Sequence, residues 1–93
     1  MRVRYYTDPD TGEPHIYAHG IREHEVEDVL HRPAEDRRAK DGARAAIGRT
    51  RGGRHIRVIY VKDPVPDSVF VITAYALAGK PLSAFKRRAR RKA

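Results

Sequence analysis

No cysteine occurs anywhere in the 93 residues, so neither a disulfide nor a thiolate metal site can support this chain. That absence suits a reducing cytoplasm. No apolar run approaches the roughly 20 residues of a membrane span, and the opening MRVRYYTDPD lacks the apolar segment of a signal peptide. The expectation is a soluble, cytoplasmic protein with no membrane partner. No internal repeat is visible, and the P-loop, the GxSxG nucleophile elbow and the HExxH zinc motif are all missing.

Acidic residues are absent from 80 to 93, where Lys80, Lys86, Arg87, Arg88, Arg90, Arg91 and Lys92 supply +7 of the formal net charge of +8. Residues 1–79 carry thirteen basic and twelve acidic side chains and are nearly neutral. So concentrated a positive block attracts polyanions: nucleic acid, an anionic membrane surface or an acidic protein. Without an apolar stripe strong enough to lie in a bilayer, nucleic acid ranks first. A solvated tail that merely aids solubility is the plainer alternative.

The organising stretch is Ala43 to Tyr75. Three runs rich in β-branched and aromatic residues are separated by Arg51-Gly52-Gly53-Arg54 and by Asp63-Pro64-Val65-Pro66-Asp67, the pattern of an antiparallel meander. Two glycines tolerate the positive φ of a primed hairpin turn, and the proline-rich link suits a longer surface loop. Alternation places Ile56, Val58 and Tyr60 on one face of the middle strand and His55, Arg57, Ile59 and Val61 on the other. In the third strand Phe70, Ile72 and Ala74 form the apolar set expected in the core, which leaves Thr73 and Tyr75 beside His55 and Arg57. A bulge at Gly48, or a slip of one residue, would reverse the assignment for the strand concerned.

Elsewhere, Arg2 to Tyr6 alternates as a short strand able to join the sheet edge, and residues 7–12 form a turn. Glu13 to His19 fits a helical turn or two, with Pro14 at its start and Gly20 stopping it, although a strand fits the same residues. Ile21 to His31 is the clearest helix: Val26, Val29 and Leu30 form its buried stripe, acids gather in its first half, and Pro33 lies just beyond. Residues 33–42 are polar and bounded by Pro and Gly, as in a linker. Lys80 to Ala93 forms a basic helix anchored by Leu82, Phe85 and Ala89. Residues 1–93 are thus expected to form one α+β domain. Its expected architecture is a twisted antiparallel sheet, a three-strand meander plus an N-terminal strand, with helices packed on one side.

Five histidines raise the question of metal, yet His15 and His19 have no further ligand at a convincing spacing, and His24 and His31 suit the exposed side of the acidic helix. No metal and no cofactor is implied. What remains is Arg49, Arg51 and Arg54 around the first hairpin, His55 and Arg57 on a strand, Tyr75 at the end of the next, then Lys80 and the tail. Cleaving RNA without metal means drawing a proton from a 2′-hydroxyl, neutralising the extra charge on the pentacoordinate phosphorus and protonating the departing 5′-oxygen. Arginine forks suit the second task. His55 or Tyr75 could exchange protons, and Tyr75 could instead stack on a base. Taken singly, each residue also has a structural explanation, because strand arginines often solvate an exposed face and a strand tyrosine often packs.

The succession His19-Gly20-Ile21 before an acidic helix, Ala46-Ile47-Gly48-Arg49-Thr50, Gly53-Arg54 opening a Val/Ile/Tyr strand ending at Tyr60, Ile72-Thr73-Ala74 and a basic C-terminal helix resembles the BrnT-type toxins of toxin–antitoxin modules. These belong to the broader RelE-like ribonuclease group. The likeness runs from about His15 to Arg91. It implies a RelE-like fold and an endoribonuclease that arrests translation. It also implies a tightly bound cognate antitoxin, with DNA contacted only indirectly, through the antitoxin in a complex that represses its own operon. Arg49 and Arg54 match the family's paired Gly-Arg positions and His19 its His-Gly element, whereas Tyr75 stands where BrnT-like chains usually have arginine.

The expected catalytic set is therefore Arg49, Arg54 and Arg57 on phosphate with His55 or Tyr75 in proton transfer. His19, Arg51, Lys80, Lys86, Arg87, Arg88, Arg90 and Arg91 are expected to hold the RNA. Two other readings use the same basic surface: a nucleic-acid-binding module without turnover, and a protein-interaction module that docks an acidic partner.

Overall fold

A computed structural model describes residues 1–92. Five strands form one mixed sheet in the order β1-β5-β4-β3-β2: β1 (Arg2–Tyr5), β2 (Glu35–Arg38), β3 (Arg44–Arg49), β4 (His55–Lys62) and β5 (Ser68–Ala76). The α+β class and the antiparallel meander, β3 to β5, are as expected. The N-terminal strand takes the edge but pairs parallel with β5, Arg2 opposite Ser68 and Tyr5 opposite Val71. None of the helices among the described residues is long and apolar enough to cross a membrane.

One face of the sheet carries the main core. Ile56, Val58 and Tyr60 of β4 lie there with Ala46, Val69, Val71 and Ala74, under Val26 and Val29 of helix α1 (Glu23–His31) and Ile16 of a 3₁₀ turn (His15–His19). The helical reading of residues 13–19 is therefore the right one, and Gly20, at φ 71°, closes the turn in the left-handed conformation that glycine adopts without strain. Gly48 keeps regular register opposite Ile56. Its missing side chain serves a close approach, since a Cβ there would come within 3.3 Å of Val29 Cγ1 and 3.4 Å of the Arg32 carbonyl. At the hairpin only Gly53, of the two glycines, has positive φ.

The second face differs from expectation in two ways. Helix α2 (Gly79–Lys92) crosses this face rather than joining α1: Phe85 and Leu82 pack on Ile47 and Leu77 in a separate cluster. Ile47 lies opposite Arg57 and so points away from the Ile56 and Val58 core. The helix start and Phe85 are as anticipated, but Ala89 is exposed, and Ala93 lies outside the described residues. The apolar set of β5 is also corrected. The register shifts between Ile59, opposite Thr73, and Tyr60, opposite Val71, so that Ile72 is an extra residue. This bulge exchanges the faces. Val69 and Val71 enter the core beside Ala74, while Phe70 and Ile72 leave it, Ile72 being 36% exposed.

Residues 33–42 are a strand and a turn rather than a linker. Glu35–Arg38 pairs with β3, and its lack of apolar residues is the mark of an edge strand, where charge discourages further pairing. Glu35 is buried at 7% exposure and accepts hydrogen bonds from Arg88 Nε (2.6 Å) and Nη2 (3.0 Å), tying α2 to the sheet. Arg88 holds the Glu35 carboxyl below its ordinary value of 4.5. The unfolded chain then takes up a proton more readily, so stability from this pair is complete above pH 4.5 and is lost as pH falls through the lower folded value. Arg88→Ala should flatten the acid limb of stability measured by urea melts and cost about 1.5–3 kcal/mol at neutral pH. Gly48→Val should cost about 1–3 kcal/mol by the same measurement, because two methyl groups would be forced against α1.

Candidate nucleic-acid interface

Cross-strand pairing assembles the site on the second face. Arg49 of β3 stands opposite His55 of β4, and Arg57, two residues further on the same face, stands opposite Tyr75 of β5. The His55 carbonyl accepts from the Leu77 amide at 2.9 Å, which carries the β4–β5 ladder up to the start of α2. There α2 roofs a cleft of about 590 Å³ lined by Arg49, Gly53, Arg54, His55, Leu82 and Lys86. The His55 ring tilts against Phe85 at 5.5 Å between centroids.

These contacts set the charge state of His55. Burial disfavours the imidazolium, and the Lys86 and Arg49 cations add repulsion, so His55 is held below its ordinary value and is neutral at pH 7. A neutral imidazole among cations can accept a proton while its neighbours hold an anion.

Arg57 donates from Nη1 to the Tyr75 hydroxyl at 3.3 Å, and its Nε is buried with no hydrogen-bond partner. No carboxylate lies within 4.0 Å of Arg49, Arg57 or Lys86 among the described residues, whereas Arg4, Arg44, Arg51 and Arg54 are each paired with one. Burying an N–H without an acceptor costs about 1–3 kcal/mol. The Tyr75 ring continues to His19, edge to face at 6.3 Å.

Not every anticipated residue joins this group. Arg54 is a structural clamp: it donates to Glu25 Oε1 (2.8 Å) and Oε2 (3.0 Å) and to the Gly20 carbonyl (2.9 Å), fastening the hairpin to the entry of α1. Arg51 lies over α1, 3.4 Å from Asp28, and Arg88 is turned inward to Glu35. Lys80, Arg87, Arg90 and Arg91 are exposed. At about 100° per residue, Lys80, Arg87 and Arg91 occupy the side of α2 opposite Phe85. The structure therefore brings together Arg49, His55, Arg57, Tyr75, His19 and Lys86, and sets Arg54, Arg51 and Arg88 to other tasks. Sequence reasoning missed Tyr6 and His15, which prolong the line of rings beyond His19. The four-residue spacing of His15 and His19 was the available signal.

The chain matches no protein-family model, and no curated protein and no solved structure is significantly similar to it.

Titration of the His55 ring protons by NMR should give a midpoint below 6.5. Lys86→Ala should move that midpoint upward, since one of the repelling cations is removed.

Proposed function

We propose that this protein is a metal-independent endoribonuclease, a BrnT-like toxin of a toxin–antitoxin pair that cuts RNA to inhibit translation. The observation that carries the proposal is one open cleft lined by Arg49, His55 and Lys86, with Arg57 two residues along β4 opposite Tyr75. In this reading His55 removes the 2′-hydroxyl proton, and the oxygen attacks the adjacent phosphorus. Arg49 and Arg57 take up the charge that develops on the non-bridging oxygens. Tyr75 gives its proton to the departing 5′-oxygen, leaving a 2′,3′-cyclic phosphate and a 5′-hydroxyl. Lys86 and the exposed cations of α2 hold the strand beyond the cut. A cognate antitoxin that covers the cleft would silence the enzyme.

Binding without turnover is the second reading. The engagement of Arg54 with Glu25 and Gly20 favours it, because one of the two family-matched arginines is thereby taken from the phosphate.

Incubation of the purified protein with RNA in EDTA separates the two. The proposal expects fragments ending in 2′,3′-cyclic phosphate, with His55→Ala reducing the rate about 100-fold or more while leaving the urea midpoint near that of the parent chain. Salt-sensitive binding with intact RNA would establish the second reading, and neither binding nor cleavage would end both.

A further inference from the structure

A row of four rings leaves the cleft on the side away from α2. Tyr75 meets His19 at 6.3 Å, His19 meets His15 at 5.3 Å, and His15 meets Tyr6 at 6.0 Å, each pair edge to face. The row draws on three separate elements, the end of β1, the 3₁₀ turn and β5, so no single periodicity produces it. Hydrogen bonds hold these elements to one another: the Tyr6 amide donates to Val71 O (2.8 Å) and the His15 amide to Tyr6 O (2.9 Å). Fully buried Ile16 pins the 3₁₀ turn between the two histidines. The frame is thus fixed before any ligand arrives, which spares the cost of ordering it on binding.

Burial does not account for the whole row. Tyr6 is 43% exposed and His19 is exposed, while His15 and Tyr75 are only half-buried. Exposed rings in sequence beside unpaired cations are what a strand of bases and phosphates uses, rings for the bases and guanidinium or ammonium groups for the backbone. The spacing then selects the form of the nucleic acid. Bases in a duplex strand follow one another at about 3.4 Å, and the rings here recur at 5.3–6.3 Å. Bases resting on successive rings of such a row would lie farther apart than stacked neighbours, a spacing that a duplex strand does not offer.

We infer that Tyr6, His15, His19 and Tyr75 form a base-binding row that restricts the site to unpaired, single-stranded RNA, with splayed bases resting on the rings and phosphates held at Arg57, Arg49 and Lys86. The inference rests on the RNA reading above and assigns Tyr6 and His15 a role in it. It also gives the bound strand a polarity of chemistry: base contacts lie on the β1 side of Arg57 and phosphate contacts on the α2 side.

The probe is a short fluorescent oligonucleotide with 2′-O-methyl groups, which cannot undergo 2′-hydroxyl attack, used alone and annealed to its complement. Anisotropy at low salt should show the single strand bound at least about tenfold more tightly than the duplex. Tyr6→Ala and His19→Ala should each weaken single-strand binding by about tenfold with the salt dependence unchanged. Tyr6→Phe should retain the affinity, and Lys86→Ala should lower the salt slope by about one. Circular dichroism should be unchanged in all of these variants. Equal affinity for duplex, or alanine variants without effect while Lys86→Ala weakens binding, would overturn the row and leave the RNA reading standing. Failure to bind either form, with unmodified RNA also left intact in EDTA, would remove the RNA reading and the row together.

Discussion

The pairing of β4 with β5 carries one residue too many on β5, and the two-sided character of the sheet depends on that surplus. Ile59 lies opposite Thr73 and Tyr60 opposite Val71, so Ile72 has no partner. With strict alternation Val69 and Val71 would share a face with Tyr75 and be withdrawn from the core. The bulge instead sends both valines inward with Ala74 and keeps Thr73 and Tyr75 on the outer face beside Ile59 and Arg57. A single irregularity therefore serves packing and site at once, as bulges near binding surfaces often do.

Distribution of the carboxylates is the second organising feature. Glu25 holds Arg54, Asp28 holds Arg51, Asp36 holds Arg44, Asp63 holds Arg4, and Glu35 holds Arg88. The more exposed of these pairs contribute only about 0–1 kcal/mol each, and the buried Glu35 pair contributes more. Their effect on the field is larger, because Arg49 and Lys86, which line the cleft, and Arg57 on the neighbouring strand positions have no carboxylate within 4.0 Å among the described residues. Tyr60 shows the same economy in the core: its hydroxyl donates to Asp36, and burial with that neighbouring charge pushes it up to about 12. That bond reaches from β4 across β3 to the edge strand, and it helps explain why a run as charged as Glu35–Arg38 is strand at all.

Much of the fold was legible because it follows from local pattern. Alternation along Arg54 to Lys62 picked out Ile56, Val58 and Tyr60 as core, and the Val26, Val29 and Leu30 stripe marked α1. Cross-strand neighbours were not, since a two-residue turn at Gly52-Gly53 would set Arg49 opposite Ile56, whereas the ladder places it opposite His55. What escaped notice was whatever depends on contacts distant in sequence. The strand at Glu35 has no apolar alternation of its own and is stabilised by β3, Tyr60 and Arg88. The side taken by α2 was equally hidden, because Phe85 and Leu82 announce an apolar face without saying which surface they meet. Among the site residues, the arginines near the hairpin looked equivalent, yet Glu25 and the Gly20 carbonyl claim Arg54, and nothing claims Arg57 except a phenol.

By itself the amino-acid sequence determined the meander, the helices and the concentration of positive charge at 80–92, since propensity, periodicity and composition act over a few neighbouring residues. Only the tertiary structure decided which cations are spent on internal carboxylates, which face α2 covers, and that Tyr6, His15, His19 and Tyr75 stand in line. Those outcomes depend on strand register and on the bulge at Ile72, where a shift of one residue exchanges the two faces of a strand and no local signal records it.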